Sequence, residues 1–321
     1  MTKEIKYSVF APIYNEEGNI EKLYNEVKPV MEKLGETWEF ILVNDGSSDN
    51  SMREIIKLAE KDKRVIPIAL KTNYGQSIAM DAGFNACRGE IIISMDADLQ
   101  NDPMDIPKLL DKLNNEHLDV VAGWRAKRKD PMWMLVITKA AKFLRGLFAS
   151  DGVHDSGCTL RVYRKHFTDD LELWGEMHRY IMAILKWKGA RIGELKVNHR
   201  ARSAGVSKYN WKKSFKGLVD LFYVWFWKKF SGRPLHLFGV SGLFIMFAGF
   251  LSGLWTAYQK VFMDVSLSDS VWFLMSGFLF LIGLQFFVSG IMLDIAIRNY
   301  FNTSKEKRYS TREVIIKRNR K

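Results

Sequence analysis

In residues 91–103 an apolar run, Ile91-Ile92-Ile93, gives way to Asp96, Ala97, Asp98 and Gln100. If the strand runs on through this stretch, alternation points Asp96 and Asp98 to the same side, while Ala97 leaves the backbone open. Two carboxylates aimed at one point repel each other unless a cation sits between them. Hard oxygen ligands select Mg2+ or Mn2+, and substrate phosphates complete the coordination shell. Gln100 offers a third protein oxygen from the following turn. A lone D-x-D also occurs as a helix cap or a solvated turn, so the surrounding elements must decide its meaning.

Those elements alternate. Residues 7–12, 38–43, 65–70 and 90–95 read as strands, and 19–34, 51–61 and 76–87 as helices. This alternation predicts an α/β domain built on a mostly parallel, doubly wound sheet. Ligands of such sheets bind beyond the carboxyl ends of the strands. Each strand ends in a polar cluster: residues 12–17 (Pro-Ile-Tyr-Asn-Glu-Glu), 44–49 (Asn-Asp-Gly-Ser-Ser-Asp), 71–75 and 96–100. No G-x-G-x-x-G follows the first strand and no G-x-x-x-x-G-K-[ST] occurs, which removes dinucleotide and P-loop readings.

The 321 residues suffice for two domain-sized units, and 47% hydrophobic residues support a packed core. The net charge of +12 asks for a polyanionic partner. Two cysteines, Cys87 and Cys158, lack metal-type spacing and favour a reducing compartment. The first residues show no signal-peptide core. Residues 235–258 and 271–293 contain no charged side chain, and each is long enough to cross a bilayer. Two buried helices of a large soluble domain are the alternative. Gly249 with Gly253, then Gly277, Gly283 and Gly290, offer small positions for helix contact. Basic flanks, from Lys212 to Arg233 before the first span and from Arg298 to Lys321 after the second, put both ends in the cytoplasm. The membrane thereby accounts for much of the charge, and nucleic acid is not needed. In residues 211–227, Trp211, Phe215, Leu218, Phe222 and Trp225 share one helical face, with Lys212, Lys213 and Lys216 opposite. That pattern predicts a helix lying on the bilayer surface, in preference to one packed on the soluble domain.

Taken together, P-x-Y-N-E-E at 12–17, N-D-G-S-S-D at 44–49, N-x-G-x-x-x-A-x-x-x-G at 73–83 and D-A-D-L-Q at 96–100 resemble the family 2 glycosyltransferases of the GT-A fold. The segment R-x-x-G-x-S-K at 202–208 and the two C-terminal spans look like a narrower group, the polyprenyl-phosphate glycosyltransferases. The resemblance covers essentially the whole chain. It implies a Rossmann-like GT-A domain over residues 1–208, a juxtamembrane helix at 209–233, a two-helix transmembrane domain at 234–297 and a basic cytoplasmic tail at 298–321.

By the same resemblance, Pro12, Tyr14, Glu16 and Asp45 hold the nucleobase and ribose, although Asp45-Gly46 also fits a simple Asx-type turn. Asn73, Gly75 and Gln76 line the ribose-phosphate path, and Asp96, Ala97 and Asp98 meet the donor diphosphate. Asp96, Asp98 and Gln100 hold the divalent ion. Arg125, Lys139, Arg202 and Lys208 are the candidates for binding acceptor phosphate, with a solvated helix charge as the alternative for Lys139. Asp155, in a D-x-S-G-type segment that departs from the usual wording at residues 158–160, is either a base or transition-state stabiliser, or a turn cap. His178, in Gly-Glu-Met-His-Arg-Tyr at 175–180, has no assigned role beyond a satisfied polar residue of a helix.

The expectation is an inverting, metal-dependent transfer of one sugar from a nucleotide sugar to polyprenyl phosphate at the cytoplasmic leaflet. The donor is a UDP-hexose such as UDP-glucose, or GDP-mannose. A processive polysaccharide synthase would carry Q-x-x-R-W and more spans. A sugar nucleotidyltransferase would open on a Gly-rich loop. A catalytically silent membrane scaffold fits poorly with an intact D-x-D. The particular sugar and homo-oligomerisation are left open.

Overall fold

The computed structural model describes residues 4–126, 152–200, 225–226, 229–230, 234–267 and 270–303. They fall into two compact units, divided between Val224 and Trp225.

The first unit is built on a seven-stranded sheet. Its strands are β1 (Tyr7–Ile13), β2 (Trp38–Asn44), β3 (Val65–Ala69), β4 (Ile91–Ser94), β5 (Val120–Trp124), β6 (Arg161–Arg164) and β7 (Ile192–Lys196). They lie in the order β3-β2-β1-β4-β6-β5-β7. β1 pairs in parallel with β2 and β4, and β2 with β3. β6 runs antiparallel to both β4 and β5, whereas β7 is parallel to β5. Every strand but β6 therefore points the same way. Six carboxyl ends collect at one edge, joined there by the segment that leads into β6.

Burial explains the sequence of these strands. All seven residues of β2 are buried, the pattern of a strand covered on both faces. One face packs against α1 (Ile20–Lys33), α2 (Ser51–Lys61) and α4 (Ile106–Asn115) through Leu23, Val27, Ile55, Leu109 and Leu113. The opposite face packs against α3 (Gln76–Ala86) and α5 (Ile181–Trp187) through Met80, Phe84, Ile181 and Leu185. Burying each such side chain contributes about 1.5–3 kcal/mol. The four strands and three helices predicted between residues 7 and 95 match those observed to within two residues at either end.

One boundary matters for the site. β4 ends at Ser94, two residues before Asp96, so strand pleating does not aim Asp96 and Asp98. The chain instead turns at Leu99, whose φ is +60°, a left-handed conformation unusual for a bulky residue. Leu99 is 8% exposed and belongs to the main core, and burial of its side chain offsets the backbone cost of about 1–2 kcal/mol.

The second unit contains α6 (Pro234–Phe262) and α7 (Val271–Thr303), both long and apolar enough to cross a membrane. The two helices come into close contact at several glycines. A Cβ at Gly242 would lie 2.6 Å from the Gly283 carbonyl oxygen, and one at Gly290 would lie 3.0 Å from the Gly239 nitrogen. Gly249, Gly283 and Gly290 make close contacts as expected, whereas a Cβ at Gly253 would only touch Ser276 at 3.7 Å and one at Gly277 would meet nothing within 4 Å. The proposed surface helix at 209–233 falls largely outside the described residues.

Candidate active site

The loops after β1 and β2 are laced together. Asn15, at φ +54°, accepts through Oδ1 from the Ser48 backbone N–H at 2.8 Å and donates its own N–H to Ser47 Oγ at 3.0 Å. The Glu16 N–H donates to Ser51 Oγ at 3.0 Å, and Glu16 Oε2 accepts from Asn19 Nδ2 at 2.8 Å. Pro12 is half-buried at the end of β1, and Tyr14 is exposed above it.

The β2 loop in turn holds the β3 loop. Asp45 is 3% exposed. Its Oδ1 accepts from the Tyr74 N–H at 2.8 Å, and its Oδ2 accepts from the Gly75 N–H at 2.9 Å and Asn73 Nδ2 at 3.1 Å. The Asx-type turn considered for this position is thus replaced by a carboxylate that shapes a neighbouring loop. Gly46 makes the close approach possible, since a Cβ there would sit 2.4 Å from the Thr72 carbonyl carbon. Gly75 is required for a different reason. Its φ of +94° is closed to ordinary residues, although a Cβ would meet no protein atom.

Gln76 opens α3 and donates its Nε2 amide to Asp96 Oδ1 at 3.1 Å. The Thr159 hydroxyl accepts from Asn101 Nδ2 at 2.9 Å and lies near enough to Asp96 to favour its ionised form. Asp98 is 8% exposed, and its Oδ1 accepts from the Gln100 backbone N–H at 3.2 Å. Burial, and then the neighbouring Asp98 charge, push the Asp96 carboxyl up to about 6. This electrostatic stress is what a divalent cation relieves, and two carboxylates close together supply hard oxygens of the right kind. Among the described residues no group of three acidic, His or Cys side chains competes as a metal site.

Arg125 follows β5 at the same edge and is fastened to Asp155. Nε donates to Oδ2 at 2.7 Å and Nη2 to Oδ1 at 2.9 Å, while the Arg125 backbone N–H reaches Oδ2 at 3.2 Å. The Arg125 charge and its hydrogen bonds outweigh burial and hold the Asp155 carboxyl below the usual range. Of the three readings left open for Asp155, general base is disfavoured by this geometry, because a carboxylate so paired is a weak proton acceptor, while Oδ1 also caps the turn by accepting from the Gly157 N–H at 3.1 Å. Glu194 Oε1 anchors the segment from behind by accepting the N–H groups of His154 at 2.6 Å and Asp155 at 3.2 Å.

Two members of this site lie in the segment 155–161 that the sequence singles out, yet neither is assigned a role by it. Thr159 reaches Asp96 from a segment that departs from the familiar wording. Arg161 is 2% exposed, and donates Nε to the Cys158 carbonyl at 2.6 Å and Nη2 to the Ser156 carbonyl at 2.5 Å. Its positive charge favours the ionised form of Asp96. Its position facing Ser94 across the β4–β6 ladder could not be foreseen from spacing.

Lys139, Arg202 and Lys208 lie outside the described residues. The described chain is fixed as far as Arg200. Asn101 and His199 form an antiparallel bridge, the Arg200 N–H donates to the Gln100 carbonyl at 2.9 Å, and Arg200 Nη2 lies 2.9 Å from Asp102 Oδ1. The chain thus runs beside the D-x-D loop two residues before Arg202.

Nucleotide-type loops, a paired-carboxylate site and a fastened arginine at one sheet edge are the features of a GT-A glycosyltransferase. Residues 8–171 match the family described as glycosyl transferase family 2. The chain belongs to that family and is a glycosyltransferase. It is 34% identical over 316 residues to a dodecaprenyl-phosphate galacturonate synthase of Rhizobium johnstonii, covering 97% of this chain and 94% of that one. It is 33% identical over 312 residues to an undecaprenyl-phosphate 4-deoxy-4-formamido-L-arabinose transferase of Proteus mirabilis, with the same coverage. In three dimensions it resembles glucosyl-3-phosphoglycerate synthase from Mycobacterium tuberculosis, solved with Mn2+, uridine diphosphate and glucosyl-3-phosphoglycerate. The TM-score is 0.54 at 17% identity, covering 68% of this chain and 80% of that one. This last likeness concerns the fold alone.

Proposed function

We propose that the protein transfers a single sugar, with inversion, from a nucleotide sugar to a polyprenyl phosphate, giving a lipid-linked monosaccharide. The observation that carries this reading is the convergence of the Asp96–Asp98 pair and Arg125 on the carboxyl edge of the sheet. One group suits a cation-bound diphosphate, and the other a second phosphate. The relatives act on dodecaprenyl and undecaprenyl phosphates by name, which supports the lipid acceptor. A UDP-sugar is the first choice of donor and GDP-mannose the second. The relatives' products extend the sugar to galacturonate and 4-deoxy-4-formamido-L-arabinose.

Tyr14, Glu16 and the loop shaped by Asp45 form the nucleotide end of the site, with Pro12, Asn73 and Gly75 along its wall. Gln76 and Thr159 orient Asp96, which with Asp98 and Gln100 would hold Mg2+ or Mn2+. Bound there, the ion would offset charge on the departing nucleoside diphosphate. The acceptor phosphate has a second pKa of about 6 and is already nucleophilic at neutral pH. Its oxygen forms the new bond to the anomeric carbon as the bond from that carbon to the diphosphate oxygen breaks. No proton need be removed. What remains is to bring two anions together, and Arg125, held by Asp155, serves that purpose with Arg202, Lys139 and Lys208. Helices α6 and α7 keep this chemistry at the membrane, with the catalytic unit and both termini on the cytoplasmic side.

The test incubates purified full-length protein with undecaprenyl phosphate, Mn2+ or Mg2+, and individual UDP- and GDP-sugars, followed by mass spectrometry of the lipid. A lipid that gains one sugar mass from one donor supports the reading. Nucleotide release with unmodified lipid would overturn the choice of acceptor.

A further inference from the structure

Residues 173–179 lie along α3 and are strapped to it at two points one helical turn apart. The Leu173 N–H donates to Asp81 Oδ1 at 3.1 Å. The His178 backbone N–H donates to Ser77 Oγ at 3.2 Å, and the same hydroxyl lies 2.8 Å from His178 Nδ1. Ser77 is 1% exposed, so water does not substitute for the histidine. The other ring nitrogen, Nε2, lies 4.0 Å from Glu176, whose carboxylate receives Arg179 Nη2 at 3.0 Å.

The place of this contact gives it meaning. Ser77 directly follows Gln76, whose amide donates to Asp96. The first turn of α3 begins at Gly75, which provides no side-chain cap. A turn without a cap frays, and its side chains lose their aim. Here the double contact from His178 supplies the missing restraint one residue from the group that orients Asp96.

We propose that His178 is a positioning residue for the donor-diphosphate site, acting through Ser77 and Gln76 on Asp96. The proposal rests on the donor reading above and concerns binding more than chemistry. It also distinguishes the two ring nitrogens. An asparagine amide can occupy the place of Nδ1 and still reach Ser77. A glutamine amide reaches the place of Nε2 and loses Ser77.

The test measures calorimetric binding of UDP and of GDP, each with Mn2+, to the full-length protein and its variants, together with KM for undecaprenyl phosphate. The loss of one hydrogen bond predicts about three- to tenfold weaker Mn2+–nucleotide binding for H178A, H178Q and S77A, with H178N within about twofold of wild type. Acceptor KM stays unchanged, and the H178A/S77A double variant is no worse than either single one. Equal losses in H178N and H178Q, additive losses in the double variant, an equal rise in acceptor KM, or variants that all match wild type would each overturn it. If H178A does not fold, the H178N and H178Q pair still decides. Wild-type protein that binds neither nucleotide with Mn2+ would instead refute the donor reading, and this proposal with it.

Discussion

Asp155 grips the Arg125 guanidinium through both of its oxygens, at 2.7 and 2.9 Å, and takes the Arg125 backbone N–H as well. The pair is mostly shielded from solvent, with side-chain exposures of 13% and 16%. Its value is therefore geometric, because a planar fork held in this way presents its remaining N–H groups in a fixed direction.

A carboxylate that positions an arginine behaves differently from one that accepts a proton. D155N should lower kcat/KM by about 10- to 100-fold, the usual effect of losing a supporting partner, while the shape of the pH–rate profile is unchanged. R125K, which keeps the charge but loses the fork, should cost a similar amount. Loss of the acidic limb of the profile in D155N would return Asp155 to the role of base.

Asp96 links metal binding to pH. Its carboxyl, raised to about 6, must lose a proton before a cation can bind. The Mn2+ concentration giving half-maximal activity should therefore rise about tenfold per pH unit below pH 6 and level off above pH 7. D98N should abolish turnover at ordinary Mg2+ concentrations. Near-normal rates in that variant would sink the assignment of the metal site.

The same shift has a consequence for stability. A carboxyl whose folded pKa lies above its unfolded value of 3.8 contributes stability that is present below pH 3.8 and lost as pH rises through about 6. In the metal-free protein at pH 7.5 the ionised group is thus a burden. D96N removes it, and should raise the melting temperature of the metal-free protein while eliminating Mn2+ binding. The gain is limited to about 2–3 kcal/mol by the size of the shift. A lower melting temperature in thermal denaturation would contradict this account.

Gly46 carries the contact between the β2 and β3 loops. G46A places a methyl carbon 2.4 Å from the Thr72 carbonyl carbon, at a φ of +62°. The β3 loop must then retreat from Asp45. Nucleotide affinity should fall at least about tenfold, with about 1–3 kcal/mol lost in denaturant unfolding.

Orientation in the membrane is open to chemical labelling. Met263 is exposed after α6, and the native Cys87 and Cys158 are buried. In intact cells, M263C should react with a membrane-impermeant maleimide, whereas a cysteine appended to the C-terminus should react only after permeabilisation. The reverse pattern would invert the proposed topology.

Much of this protein was legible in one dimension. The apolar runs at 38–43 and 90–95, the amphipathic helices between them and the two uncharged spans depend on local periodicity, which a chain carries in its own order. So do the polar strand ends, and they marked Asp45, Asp96 and Asp98, while the family resemblance added Gln76. What those residues do to one another was decided only by the fold. Asp45 became the clasp of a neighbouring loop, and Asp155 became the partner of Arg125. Thr159, 58 residues from Asn101, took up that residue's amide beside Asp96. Even the aim of the D-x-D departed from strand alternation, since β4 stops at Ser94 and Leu99 turns the chain through a left-handed φ to bury its side chain. The physical reason is range. Secondary structure and membrane insertion follow from neighbouring residues along the chain, whereas the pairing of charges and hydrogen bonds follows from which loops the sheet order brings to the same edge.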